Sequence, residues 1–109
     1  MQWIERLLPG YRRRRALNEL GAEFVRNGRD EFLFVDGAKR LPIYAELQGR
    51  GSVQFVVYEG DAIGHWLPPH EAEPLTESLR QEVLALFLRY LAIFDYRVEV
   101  LSGAGMDTR

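Results

Sequence analysis

The sequence predicts an α+β domain: an antiparallel sheet of about five strands, one long C-terminal helix packed on one face, and a short N-terminal helix. Three observations predict it. Residues 22–58 alternate apolar and polar side chains and are punctuated by turn-forming glycines. Residues 77–94 repeat apolar side chains at helical spacing. Arg97-Val98-Glu99-Val100-Leu101 alternates again and reads as a closing strand. At 109 residues the chain has the length of one domain, 1–109, with a modest core. Within it, 1–20 is a helical segment, 21–101 the α+β core and 102–109 a flexible tail.

Trp3, Ile4, Leu7, Leu8 and Tyr11 fall at helical spacing, but Pro9-Gly10 interrupts them, so the first helix is expected at 2–8. Residues 12–20, "RRRRALNEL", read either as a second helical piece or as the approach to a strand. Strands are expected near 22–27, 31–36, 39–47 and 53–58, joined as an antiparallel meander. Asn27-Gly28 and Asp36-Gly37 supply the positive φ angles of tight hairpins, and Gly49-Arg50-Gly51 marks the third turn. Phe24, Phe32, Phe34, Ile43, Tyr44, Val53, Phe55 and Val57 supply the sheet faces. Pro42 cannot donate to a ladder, so the third strand should be an edge or be bulged there.

Thr76 is a suitable N-cap, and Glu77 suits the positive end of the helix dipole. "ESLRQEVLALFLRYLAIF" is then one helix over 77–94, with Leu79, Val83, Leu86, Phe87, Tyr90 and Phe94 as its apolar stripe. Leu84, Leu88 and Leu91 widen the stripe, which predicts a helix buried on more than one side.

Hydrophobic residues make up 47% and charged residues 28%, ordinary for a globular protein. No apolar run approaches the roughly 20 residues that span a bilayer. No signal peptide is apparent, because the basic cluster follows the first apolar residues instead of preceding them. Without cysteine there are no disulfides and no thiolate zinc sites, which suits a reducing cytoplasm. The net charge of −2 conceals an asymmetry: residues 1–40 carry nine basic and six acidic side chains, residues 41–109 five and ten. Between 59 and 82, six acids face the single base Arg80.

The chemistry gathers in "GHWLPPHEAEP", residues 64–74. This stretch holds both histidines, one of the two tryptophans and three of the five prolines. It cannot be a helix or a central strand. His65, His70, Glu71 and Glu73 are ligand types that suit zinc or nickel, but His-x4-His straddles two prolines and no further His or Cys completes a site. No metal and no cofactor are therefore expected. No nucleophile elbow or triad order is visible, so no catalytic residue is assigned and no small-molecule substrate is expected. "QGRGSV" lacks the Lys-Ser/Thr of a phosphate loop and reads as a hairpin turn. The run Arg12, Arg13, Arg14, Arg15 reads as a solvated face or as a partner for the acidic half. The alternative is an adaptor for nucleic acid or an anionic membrane surface. A dedicated nucleic-acid binder would carry a larger basic excess. Trp66 reads as the anchor that pins the loop and, equally, as an interface hot spot. The prolines lower the entropy such a loop loses on binding.

From Tyr58 through Val100 the chain resembles small immunity proteins of bacterial polymorphic-toxin and contact-dependent growth-inhibition systems. Ile63, Trp66, Pro68, Pro69, His70, Glu71, Glu73 and Pro74 match their apolar–Trp–Pro-Pro–acidic turn, which leads into a helix and a closing strand. The resemblance covers about residues 22–101 and excludes the arginine-rich start. It implies a non-enzymatic antitoxin that binds one cognate toxin domain in the cytoplasm. Nuclease toxins have basic clefts, and an acidic rigid loop is their complement. The partner-binding residues expected on this reading are Glu59, Asp61, His65, Trp66, His70, Glu71 and Glu73. The oligomeric state is left open.

Overall fold

A helix begins at the Pro9-Gly10 pair. In this computed structural model, which describes residues 9–49 and 51–102, α1 covers Pro9–Leu20. Proline is tolerated at a first helical position, where an N–H has no intrahelical acceptor to lose. Gly21, at φ 70°, ends the helix. Residues 12–20 are thus helical and not the approach to a strand. The helix expected over 2–8, with Trp3, Leu7 and Leu8, lies outside the described residues, as does most of the 102–109 tail.

Strands β1 (Glu23–Arg26), β2 (Glu31–Asp36) and β3 (Lys39–Tyr44) form an antiparallel sheet in that order. Residues 27–30, with Gly28 at φ 145°, join β1 to β2 in a loop wider than a tight Asn-Gly turn, and the two-residue turn Gly37-Ala38, with Gly37 at φ 60°, joins β2 to β3. Register places Phe24 opposite Phe34 and Phe32 opposite Ile43.

The single five-stranded antiparallel sheet is not what forms. The strand expected over 39–47 divides at Ala45, and β4 (Glu46–Leu47) leaves for a second sheet of order β4-β5-β6. Asp30 makes the division: its carbonyl accepts from Ala45 N (3.0 Å) and its Oδ1 from Leu47 N (2.8 Å). Strand β5 (Phe55–Tyr58) pairs with β4 across the glycine-bearing turn as a hairpin. Strand β6 (Val98–Leu101) pairs with β5 in parallel. A parallel neighbour requires a crossover, and the long helix α2 (Glu77–Ile93) supplies it.

α2 starts where Thr76 Oγ1 accepts from Leu79 N at 3.1 Å. It buries Val83, Phe87 and Leu91, one residue per turn. One core joins the layers. Phe32 of the first sheet, Phe55 of the second and Phe87 of α2 are 2%, 1% and 0% exposed. Phe32 meets Phe55 at 5.6 Å between centroids and Phe87 at 5.0 Å, both edge-on. Phe24 and Tyr90 extend the cluster, 5.0 Å apart.

Replacing Phe87 by Ala removes the ring that touches both Phe24 and Phe32. A loss of about 3–5 kcal/mol is expected, read as a lower midpoint in urea unfolding. Tyr90 supplies a pH signature. Burial raises its phenol above 10.0, Tyr96 adds to the rise and Arg26 opposes it. The folded state therefore holds this proton more tightly than the unfolded chain. The contribution is intact below about pH 10 and is lost as pH climbs through the raised value. Tyr90→Phe should flatten the alkaline fall in stability relative to wild type, measured by urea midpoints between neutral pH and pH 11.

Candidate functional site

The connection from β5 to α2, residues 59–76, holds every loop residue singled out by sequence. Its first half behaves as an irregular extra strand. Tyr44 N donates to Ala62 O (2.8 Å), Gly64 N to Pro42 O (2.9 Å) and Leu67 N to Arg40 O (2.9 Å), with a bridge between Ile43 and Ile63. These bonds run along the edge of β3 that β2 leaves free. Pro42 turns its carbonyl, and hence its absent N–H, toward the loop and not toward β2, so the sheet loses no ladder bond. Gly64 sits where a Cβ would come 3.3 Å from Pro42 O.

Two cations fasten the loop. Arg80 of α2 donates from Nη1 to Ile63 O (2.8 Å) and Gly64 O (3.3 Å), and its Nη2 lies 3.5 Å from His65 Nδ1. Lys39 of β3 places Nζ 4.6 Å from the Trp66 ring centroid and 3.1 Å from Glu73 Oε1. Beyond Trp66 the chain makes two linked turns, His70 N to Leu67 O and Glu73 N to His70 O, each 3.0 Å. The Pro68–Pro69 peptide is cis.

The expected residues take different places in this frame. Trp66 is 3% exposed and belongs to the core. Of its two expected roles the structure displays the anchor, and the ring is not presented to a partner. Glu59, His65 and Glu71 are exposed, and Asp61 and His70 are half-buried. His70 Nδ1 is covered and has no hydrogen-bond partner among the described residues. Glu73 is exposed but ion-paired with Lys39. The structure thus gathers two groups: Arg80 with His65 at the α2 side, and Lys39, Trp66 and Glu73 at the β3 side. No cluster of three or more His, Asp or Glu able to hold a metal occurs among the described residues.

Sequence reasoning missed both fasteners. Arg80 carried a signal, being the lone base among six acids between 59 and 82. Lys39 carried none, because its partner Glu73 is 34 residues away.

The four arginines lie on α1 and are all exposed. Consecutive helical residues point about 100° apart, so the run fans around the axis and does not form one basic face. Arg13 stacks over Phe94 at 4.9 Å and Arg15 pairs with Glu19 at 3.4 Å. No helix among the described residues is long and apolar enough to cross a membrane.

Fold and loop together define a small α+β domain with an anchored surface loop between β5 and α2. The family model described as Immunity protein 74 matches residues 25–100, and the chain belongs to that family. The family implies a toxin as partner. Neither the curated proteins nor the solved structures returned a match.

Arg80→Ala would leave two loop carbonyls without their charged donor. The expected cost is about 1–2 kcal/mol, with faster amide exchange at Gly64 and Leu67 while the amides of β2 stay protected.

Proposed function

We propose that this immunity protein binds one cognate toxin domain in the cytoplasm and neutralises it by occluding its active site, with no catalysis of its own. The toxin is a nuclease on this reading. The observation that carries it is the display of Glu59 and Glu71. Both are exposed, and neither has an ion-pair partner among the described residues. They stand on a loop held by a buried tryptophan, a bridging arginine and three bonds to β3. A nucleic-acid cleft is lined by cations that bind phosphates. A fixed acidic projection is its electrostatic complement, and complementarity of this kind speeds encounter and selects the partner. Because the loop is already held, binding loses little conformational entropy.

His65 and His70 flank the projection, and Glu73, Asp61 and Trp66 shape it. Occlusion requires contact area and fit, not a reactive group, which accords with the family and with a loop that offers no poised nucleophile.

The test is co-expression with a candidate cognate toxin domain, followed by calorimetry of the purified pair. Wild type should protect growth and form a complex. Glu71→Lys combined with Glu73→Lys should weaken binding on the order of tenfold or more, chiefly through the association rate, with the largest effect at low salt. Unchanged affinity would remove the loop as contact surface while leaving the function in place. Absence of protection by wild type would remove the function.

A further inference from the structure

The long helix is more apolar than the core requires. Val83, Phe87 and Leu91 are buried, which accounts for one face. Leu84 and Leu88 lie about 100° further round and are only half-buried, and Ala85 beside them is exposed. The sequence pattern predicted a second buried side here; Leu84 and Leu88 do pack partly against the core, but they leave apolar surface open. A groove of about 470 Å³ runs between this face and the Glu59–Gly60 turn.

The groove has a distinct chemistry. Leu84, Ala85 and Leu88 form an apolar floor, and Glu59 and Glu77 stand at the rim with Gln81 between them. Gln81 Nε2 donates to Glu77 Oε2 at 3.3 Å, which holds that carboxylate over the groove without neutralising it. Arg80 lines the adjoining pocket beside Glu59 and Glu77, with its Nη1 turned to Ile63 O and Gly64 O and its Nη2 toward His65. An acidic segment would be repelled at this rim, and a purely apolar one would leave two carboxylates desolvated and unpaired. A lysine or arginine stem covers apolar floor while its head reaches the carboxylates.

We infer that this groove is a docking site for a segment of the partner protein that carries a lysine or arginine beside an aliphatic side chain. The inference rests on the toxin-binding reading and names the chemistry of the partner's contacting segment. It also places contact on α2, away from Glu71 and Glu73.

Ala85→Trp fills the groove without touching the core, and Glu59→Lys with Glu77→Lys reverses the rim. Circular dichroism and thermal unfolding establish that both variants fold. The first probe is a synthetic decapeptide alternating Arg and Leu, titrated into the isotopically labelled full chain by NMR. Shifts should concentrate at residues 59–60 and 77–88, and both variants should weaken binding at least tenfold. Equal binding of a Glu/Leu decapeptide, or shifts that map elsewhere, would overturn the assignment. So would a wild-type dimer that Ala85→Trp dissociates, because the occupant would then be a second copy. The second probe is growth protection by the co-expressed chain. Loss of protection in Ala85→Trp supports the groove. Full protection by Ala85→Trp overturns it while the toxin-binding function stands. Failure of wild type to protect overturns the function, and the peptide titration then judges the groove alone.

Discussion

The structure depends on one contact set: the ring of Phe32 lies against Phe55 and Phe87 at once. Each three-stranded sheet has an apolar face that must be buried against another element. Phe32 belongs to the first sheet, Phe55 to the second and Phe87 to the helix that covers both, so three elements become one core at this point. The edge-on arrangement brings positive ring edges to negative faces, a preference worth about 0.5–1.5 kcal/mol per pair beyond area burial. Every feature of the loop is placed relative to this junction, because the loop leaves β5 and enters α2, which both contribute to it.

The loop is ordered by the device that solves an edge problem. β3 would otherwise offer unpaired carbonyls on its outer side, an invitation to aggregation. Pro42 removes one donor from that side, and residues 62–67 satisfy carbonyls of Arg40 and Pro42. Protection of the sheet and orientation of the loop are therefore one interaction. Trp66 completes it by packing inward, with Lys39 over its ring. A residue of a type enriched at interfaces is here used to hold a loop in place.

How far this was legible depended on the range of the interactions. The β1–β2 and β2–β3 hairpins were legible because a glycine in each connection marks a local turn, although the first is a loop over 27–30 and not a tight Asn-Gly turn. The start of α2 was legible because the Thr76 cap is equally local. The division into two sheets was not, because Asp30 acts on residues 45 and 47 across the fold. Alternation in Val98–Leu101 indicates a strand but carries nothing about its partner or direction, so the parallel pairing with β5 was invisible. The start of α1 at Pro9-Gly10 was not legible, because proline both stops a helix and suits the first turn of one. In the site, the loop's anchoring could be inferred from an indole in an irregular segment, whereas its fasteners Lys39 and Arg80 come from other elements. The widened stripe of Leu84 and Leu88 was legible as a surplus of apolar surface, but not as an open groove.

On the proposed reading, the loop and the α2 groove divide the work of recognition in a way the charges alone would not suggest. Exposed carboxylates such as Glu59 and Glu71 raise encounter rates and exclude wrong partners, but they contribute modestly to net affinity because they stay hydrated and are screened by salt. Tight inhibition needs desolvated apolar anchors near the centre of the contact. Trp66 cannot be one, since its ring is committed to the core. The apolar surface near the acids includes Leu67, 36% exposed on the loop, and the floor made by Leu84, Ala85 and Leu88 on α2. Glu59 lines that groove and also opens the loop, so on the proposed reading steering by charge and anchoring by apolar contact would coincide there. A partner that engaged only the loop would meet charge without an anchor. One that reached from the loop to α2 would find both, and would find them on elements that the Phe32 junction holds in fixed relation.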